Sequence, residues 1–120
     1  MLNLDTHILV HALQGTLRRR EQRLLRENPW SISAIVLWEL AKLAQLKRIT
    51  IDIGSQEFTL ALSRIHIWPI SLRICQEISK LDFHSDPADE IIGVTSIIHQ
   101  VPLLTRDRIL LRSKLIPRAT

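Results

Sequence analysis

The run HSDPADEIIGVTSIIHQVPLLTRD, residues 84 to 107, constrains the fold of this chain more than any other stretch. Asp86-Pro87 opens a helix, because Asp is favoured at the cap and Pro at the first helical position. Ile91, Ile92, Val94, Thr95, Ile97 and Ile98 carry that helix to Gln100. Val101 to Thr105 then reads as a buried strand that delivers Asp107 just past its carboxyl end. An apolar strand ending in an acid occurs once more, at Leu2-Asn3-Leu4-Asp5. In an open parallel sheet the functional crevice lies at the carboxyl ends of the strands, so both acids are candidates for one site.

The rest of the chain supports such a sheet. Helices are predicted over about 6–13, 17–27, 34–46, 55–65, 72–81, 87–100 and 108–114. Short apolar strands are predicted at 2–5, 30–33, 66–70 and 101–105, with an extended piece at 49–51 and a final strand around 115–117. The strands lack polar alternation and are separated by helical lengths, which predicts a short parallel sheet covered on both faces. No repeat, linker or low-complexity tract divides the chain, so residues 1–120 read as one α/β domain. That length suffices to bury roughly two-thirds of the unfolded surface. Hydrophobic content of 46% against 23% charged residues excludes a disordered chain.

No apolar run reaches the ~18 residues of a membrane span. Asp5 and His7 interrupt the apolar core that a signal peptide needs. The single cysteine, Cys75, excludes an internal disulfide framework and suits a reducing cytoplasm. Its apolar neighbours make it read as a small buried hydrophobe. The net charge of +4 favours a polyanionic partner such as nucleic acid. Arg19, Arg23 and Arg26 share one face of the second helix, either as a solvated face or as one that meets RNA or a partner.

Glu39 lies about a turn and a half into the helix after the second strand, with Ile35, Val36 and Leu43 around it. A carboxylate on such a face costs several kcal/mol to desolvate unless something pairs with it. Lys42 or a metal ion is the expected partner. Asp5, Glu39, Asp89 and Asp107 can all converge on one edge of the sheet. Four carboxylates there repel one another, so cations are needed, and hard oxygen ligands suit Mg²⁺ or Mn²⁺. Such an ion activates water and stabilises a phosphodiester in flight. The aspartates also read as helix caps, with Asp86 and Asp89 spaced as a capping box. Both readings stand on spacing, and Glu39 is the acid that no cap explains. There is no GxGxxG or Walker loop for a nucleotide. His7 and His11, spaced i, i+4, lack the HExxH context and third ligand of a zinc site.

With these residues in hand, the chain resembles the PIN-domain family, and within it the VapC-type toxins of prokaryotic toxin–antitoxin pairs. The matching pieces are LNLDTHILVHAL at 2–13, SAIVLWELAKL at 33–43, HSDPADEIIGVTS at 84–96 and VPLLTRDRIL at 101–110. The resemblance implies a three-layer α/β/α sandwich and a metal-dependent endoribonuclease. It places the acidic site on Asp5, Glu39, Asp89 and Asp107, and supporting hydroxyls on Thr6 and Thr105. It further implies a homodimer silenced by a small antitoxin that occludes the cleft. Arg19, Arg23, Arg106 and Arg108 are expected to guide the RNA backbone. Two departures are plain. Glu90 stands where this branch usually has arginine, and Gly93-Val94-Thr95 replaces a family-like A-T-A. The alternatives are a non-catalytic PIN-fold module that binds an antitoxin or RNA, and a DNA-directed nuclease with the same site.

Overall fold

A computed structural model describes all residues from Met1 to Thr120. Four parallel strands form one sheet: β1 (Leu2–Leu4), β2 (Trp30–Ser33), β3 (His66–Trp68) and β4 (Leu103–Leu104), in the order β3-β2-β1-β4. The chain builds outward from β1 to β3 and then returns to lay β4 on the other side of β1. The two strands that end in acids are therefore hydrogen-bonded neighbours, with Asn3 opposite Leu103 and Leu4 opposite Leu104. They flank the point where strand order reverses, which is where open α/β sheets bind ligands.

Seven α-helices cover the sheet in a three-layer α/β/α arrangement: α1 (Thr6–Gln14), α2 (Arg19–Glu27), α3 (Ala34–Gln45), α4 (Gln56–Leu62), α5 (Leu72–Glu77), α6 (Pro87–His99) and α7 (Arg108–Arg112). The core draws on strands and helices alike, with Leu4, Ile32 and Leu104 meeting Ile8, Val36, Leu40, Ile92 and Leu110. Gly15 ends α1 in the left-handed region at φ 75°, a conformation that costs glycine little. Ser33 closes β2 and caps α3, its hydroxyl accepting from the Ile35 amide at 3.2 Å. Ser33→Ala is expected to cost about 1 kcal/mol and lower the melting temperature by roughly 4 °C, measured by thermal denaturation. No helix is long and apolar enough to cross a membrane.

Several expectations are corrected. Residues 49–51 form no strand, since they lie as a loop with Ile49 and Ile51 packed on the core and Thr50 exposed. Apolar alternation there reflects a loop crossing the core. The final strand shrinks to a single parallel bridge between Leu103 and Arg118. Pro117 accepts from the Leu103 amide at 2.8 Å but has no N–H to extend the ladder. Pro69 and Pro102 shorten the strands predicted at 66–70 and 101–105 in the same way. Cys75 is exposed, not buried. The inward face of α5 runs through Ile74, which turns Cys75 and Leu72 toward solvent.

Candidate active site

Asp5 and Asp107 follow strand ends, Glu39 lies on α3 directly after β2, and Asp89 lies in the first turn of α6. Asp5 caps α1, its Oδ1 accepting from the Thr6 amide at 2.7 Å. Its Oδ2 accepts from the Thr105 hydroxyl at 2.6 Å, and it is only 4% exposed. The same Thr105 oxygen accepts from the Asp107 amide at 3.0 Å, so one hydroxyl ties the end of β1 to the turn after β4. Asp107 caps α7 through Oδ1 alone, at 2.8 Å from the Ile109 amide and 3.1 Å from the Leu110 amide.

Glu39 is reached from α1, where the Thr6 hydroxyl donates to its Oε1. Lys42, expected as its partner, is exposed and bonds Gln45 at 3.3 Å instead. Asp89 does not complete a capping box, because the Asp86 side chain makes no cap bond. Its Oδ2 accepts from the Ser85 hydroxyl at 3.0 Å. Glu90 engages the Ser85 amide at 3.4 Å and lies 3.9 Å from His84, so its charge is turned to its own loop.

The electrostatics show that these acids feel one another. Burial pushes the Asp5 carboxyl up against the pull of Thr105, Thr6 and His7, and Asp107 adds to the rise. Glu39 is likewise raised by burial, opposed by Thr6 and reinforced by Asp5 and Asp86. Asp89 is pushed up to about 6, first by burial and then, against the Ser85 bond, by Asp5, Asp107 and Glu39. Burial leads each rise and the neighbouring acids add to it, so these carboxyls share a poorly solvated edge of the sheet at the switch point. As the side chains stand, no three of the His, Cys, Asp and Glu groups approach closely enough to enclose an ion. Two cavities of about 720 and 430 Å³ lie at the other end of α1, around Leu13 and Ala61.

Comparison with known proteins places this arrangement. Residues 3–114 match the PIN domain. The chain belongs to the PIN-domain family. No curated protein matches it. A solved toxin–antitoxin complex from Klebsiella pneumoniae contains a chain 26% identical, with a TM-score of 0.67, over 89% of this PIN domain and 87% of that chain. VapBC2 from Rickettsia felis, solved with a DNA fragment from its promoter, is 21% identical with a TM-score of 0.73 over 99% and 98%. FitAB bound to an IR36 DNA fragment is 20% identical with a TM-score of 0.58 over 89% and 85%. The last two likenesses concern the fold.

The four arginines expected on the RNA backbone divide into two groups. Arg19, Arg23 and Arg108 are exposed, on α2 and at the start of α7. Arg106, expected on the RNA backbone, is committed elsewhere: its guanidinium donates to Glu21 through Nη2 at 2.6 Å and Nε at 2.8 Å. Glu21 went unnoticed in the sequence, although it shares its face with Leu24 and Leu25, and an acid on an apolar stripe signals a partner. Arg106 also donates to His11 Nε2 at 3.0 Å, which leaves Nδ1–H to donate to Thr16 at 2.7 Å. Burial and Arg106 lower the His11 pKa, and because a guanidinium only donates, Nε2 is its acceptor and is not free for zinc.

The raised Asp89 carboxyl has a consequence for stability. A carboxyl whose pKa is higher in the fold than in the unfolded chain favours the fold while protonated, and that contribution is lost as pH rises from about 4 through about 6. Metal-free Asp89→Asn is therefore expected to be more stable than the wild type at pH 7.5, by of order 1 kcal/mol once solvent screening is allowed for. The gap should close below about pH 4. Denaturation in EDTA across this range measures it, and a gap that does not vary with pH contradicts the assignment.

Proposed function

We propose that this PIN domain is a metal-dependent endoribonuclease and the VapC-type toxin of a toxin–antitoxin pair. The observation that carries the reading is the placement of Asp5 and Asp107 at the ends of adjacent strands at the switch point, bridged by the Thr105 hydroxyl, with Glu39 tied to the same edge by Thr6. Their donors are all hard oxygens, which fits Mg²⁺ or Mn²⁺ and disfavours a soft-metal role. A divalent ion supplies Lewis-acid activation of water and neutralises charge on the phosphodiester. Asp5, Glu39, Asp89 and Asp107 would hold it, and Thr6 and Thr105 orient Glu39 and Asp5 through the bonds described above. Exposed Arg19, Arg23 and Arg108 guide the RNA backbone by long-range attraction. Attack by water leaves no covalent link to the enzyme.

The similarity to chains of toxin–antitoxin complexes supports an antitoxin partner that covers the acidic cleft, with a basic side chain as its natural complement. A homodimer and a cytoplasmic site of action belong to the same reading. The test is thermal unfolding with Mn²⁺ and with EDTA. At Mn²⁺ near 100 times its dissociation constant the melting temperature should rise by roughly 10 °C, and no rise counts against the site. A second reading, a non-catalytic PIN-fold module that binds an antitoxin or RNA, is favoured by the absence of any three acids close enough to enclose an ion. It predicts no stabilisation by metal.

A further inference from the structure

Three of the acids are joined across elements by hydrogen bonds. The Thr105 hydroxyl links Asp5 to the Asp107 backbone, and the Thr6 hydroxyl links Glu39 to α1. Asp89 has no such tie, since its bond goes to Ser85, four residues earlier in the same segment. Where Asp89 stands relative to Asp5 is therefore set by how α6 seats on the sheet.

Asn3 supplies the directional part of that seating. It lies in the middle of β1, two residues before Asp5, with its side chain fully buried. Its Nδ2 donates to the Ile92 carbonyl at 3.2 Å and to the Ser96 hydroxyl at 2.9 Å, both on α6. Ile92 follows Asp89 by three residues, about one helical turn. No other side-chain hydrogen bond joins β1 to α6, and the neighbouring contacts are apolar. Apolar burial is non-directional and tolerates sliding, whereas a two-point amide bond fixes position along the helix.

The Asn3 Oδ1 is buried without a partner. An orphaned acceptor destabilises a core, so stability alone would favour leucine at this position. A polar group held at a net cost in stability points to a role in fixing geometry. We propose that Asn3 is a positioning residue whose side-chain amide pins α6 to β1 and so sets the separation of Asp89 from Asp5. The inference rests on the reading of these acids as a metal site.

The test compares wild type, Asn3→Leu, Ser96→Ala and the double variant by Mn²⁺ calorimetry, by RNA cleavage and by thermal unfolding in EDTA. In Asn3→Leu the Ser96 hydroxyl can turn to the Ile92 carbonyl, so no new orphan is created. The variant should melt at or above the wild-type temperature. Displacements of about 1 Å cost up to ~100-fold in positioned sites, so Mn²⁺ affinity and kcat should each fall by about 10-fold or more, with KM changing less. Ser96→Ala should move both in the same direction, and the double variant should be no worse than Asn3→Leu. Unchanged affinity in both single variants, or losses that track melting temperature, would overturn the proposal. A wild type that neither binds Mn²⁺ nor cleaves RNA would instead overturn the metal-site reading, and the positioning role with it.

Discussion

Replacing Asp89 by asparagine is expected to abolish RNA cleavage, with a loss of at least about 100-fold in single-turnover rate. The figure is a lower bound, since residues that only support metal ligands already cost 10–100-fold when removed. Asparagine keeps the shape of the side chain and can still accept the hydrogen bond from Ser85 at 3.0 Å. The charge is lost, and one acceptor oxygen becomes an NH₂ donor. That loss removes the group that feels Asp5, Asp107 and Glu39 together. The same substitution should stabilise the metal-free fold near neutral pH, because it removes the cost of burying the Asp89 charge and, secondarily, the repulsion from Asp5, Asp107 and Glu39. Activity and stability moving in opposite directions is the signature of a site strained for function. A variant that loses both in parallel would mean that Asp89 is a structural residue.

Arg106→Leu is expected to produce the largest loss of stability among charge substitutions. Glu21 would keep its buried carboxylate with the Arg18 amide at 2.8 Å as its remaining partner. Removing one member of a fully buried pair costs about 3–5 kcal/mol. The Arg106 side chain is 23% exposed, so about 2–3 kcal/mol is expected, or roughly 10 °C in melting temperature. Glu21→Leu combined with Arg106→Leu should recover most of the loss, because both charges leave together. If Arg106 served the RNA backbone instead, its removal would weaken RNA binding at unchanged melting temperature.

The parts of this PIN domain that were legible in the sequence share a local cause. Apolar runs broken by caps and prolines define β1, α6 and β4, and an acid just past a strand end follows from its position in the run. The parallel sheet follows from strands separated by helical lengths. What escaped are contacts between distant residues. Asn3 meets Ile92 across 89 positions, and Arg106 meets Glu21 across 85, so neither partner can be read from its neighbours. In the sequence Asn3 is one polar residue within an apolar strand, and Arg106 is a basic residue beside Asp107 that was expected on the RNA backbone. Local rules also failed where a competitor intervened. Ser85 takes the carboxylate that a capping box would have used, and the packing of Ile74 turns Cys75 outward.

The claim at the centre of this account is that the four acids form a catalytic metal site. Cleavage of a mixed RNA pool tests it most directly, run with Mg²⁺ or Mn²⁺, with EDTA, and with Asp89→Asn beside the wild type. The wild type should cleave the pool, EDTA should abolish that cleavage, and the variant should lack it while remaining folded. Cleavage that persists in EDTA, or a folded wild type that leaves the pool intact with either metal, would contradict the claim.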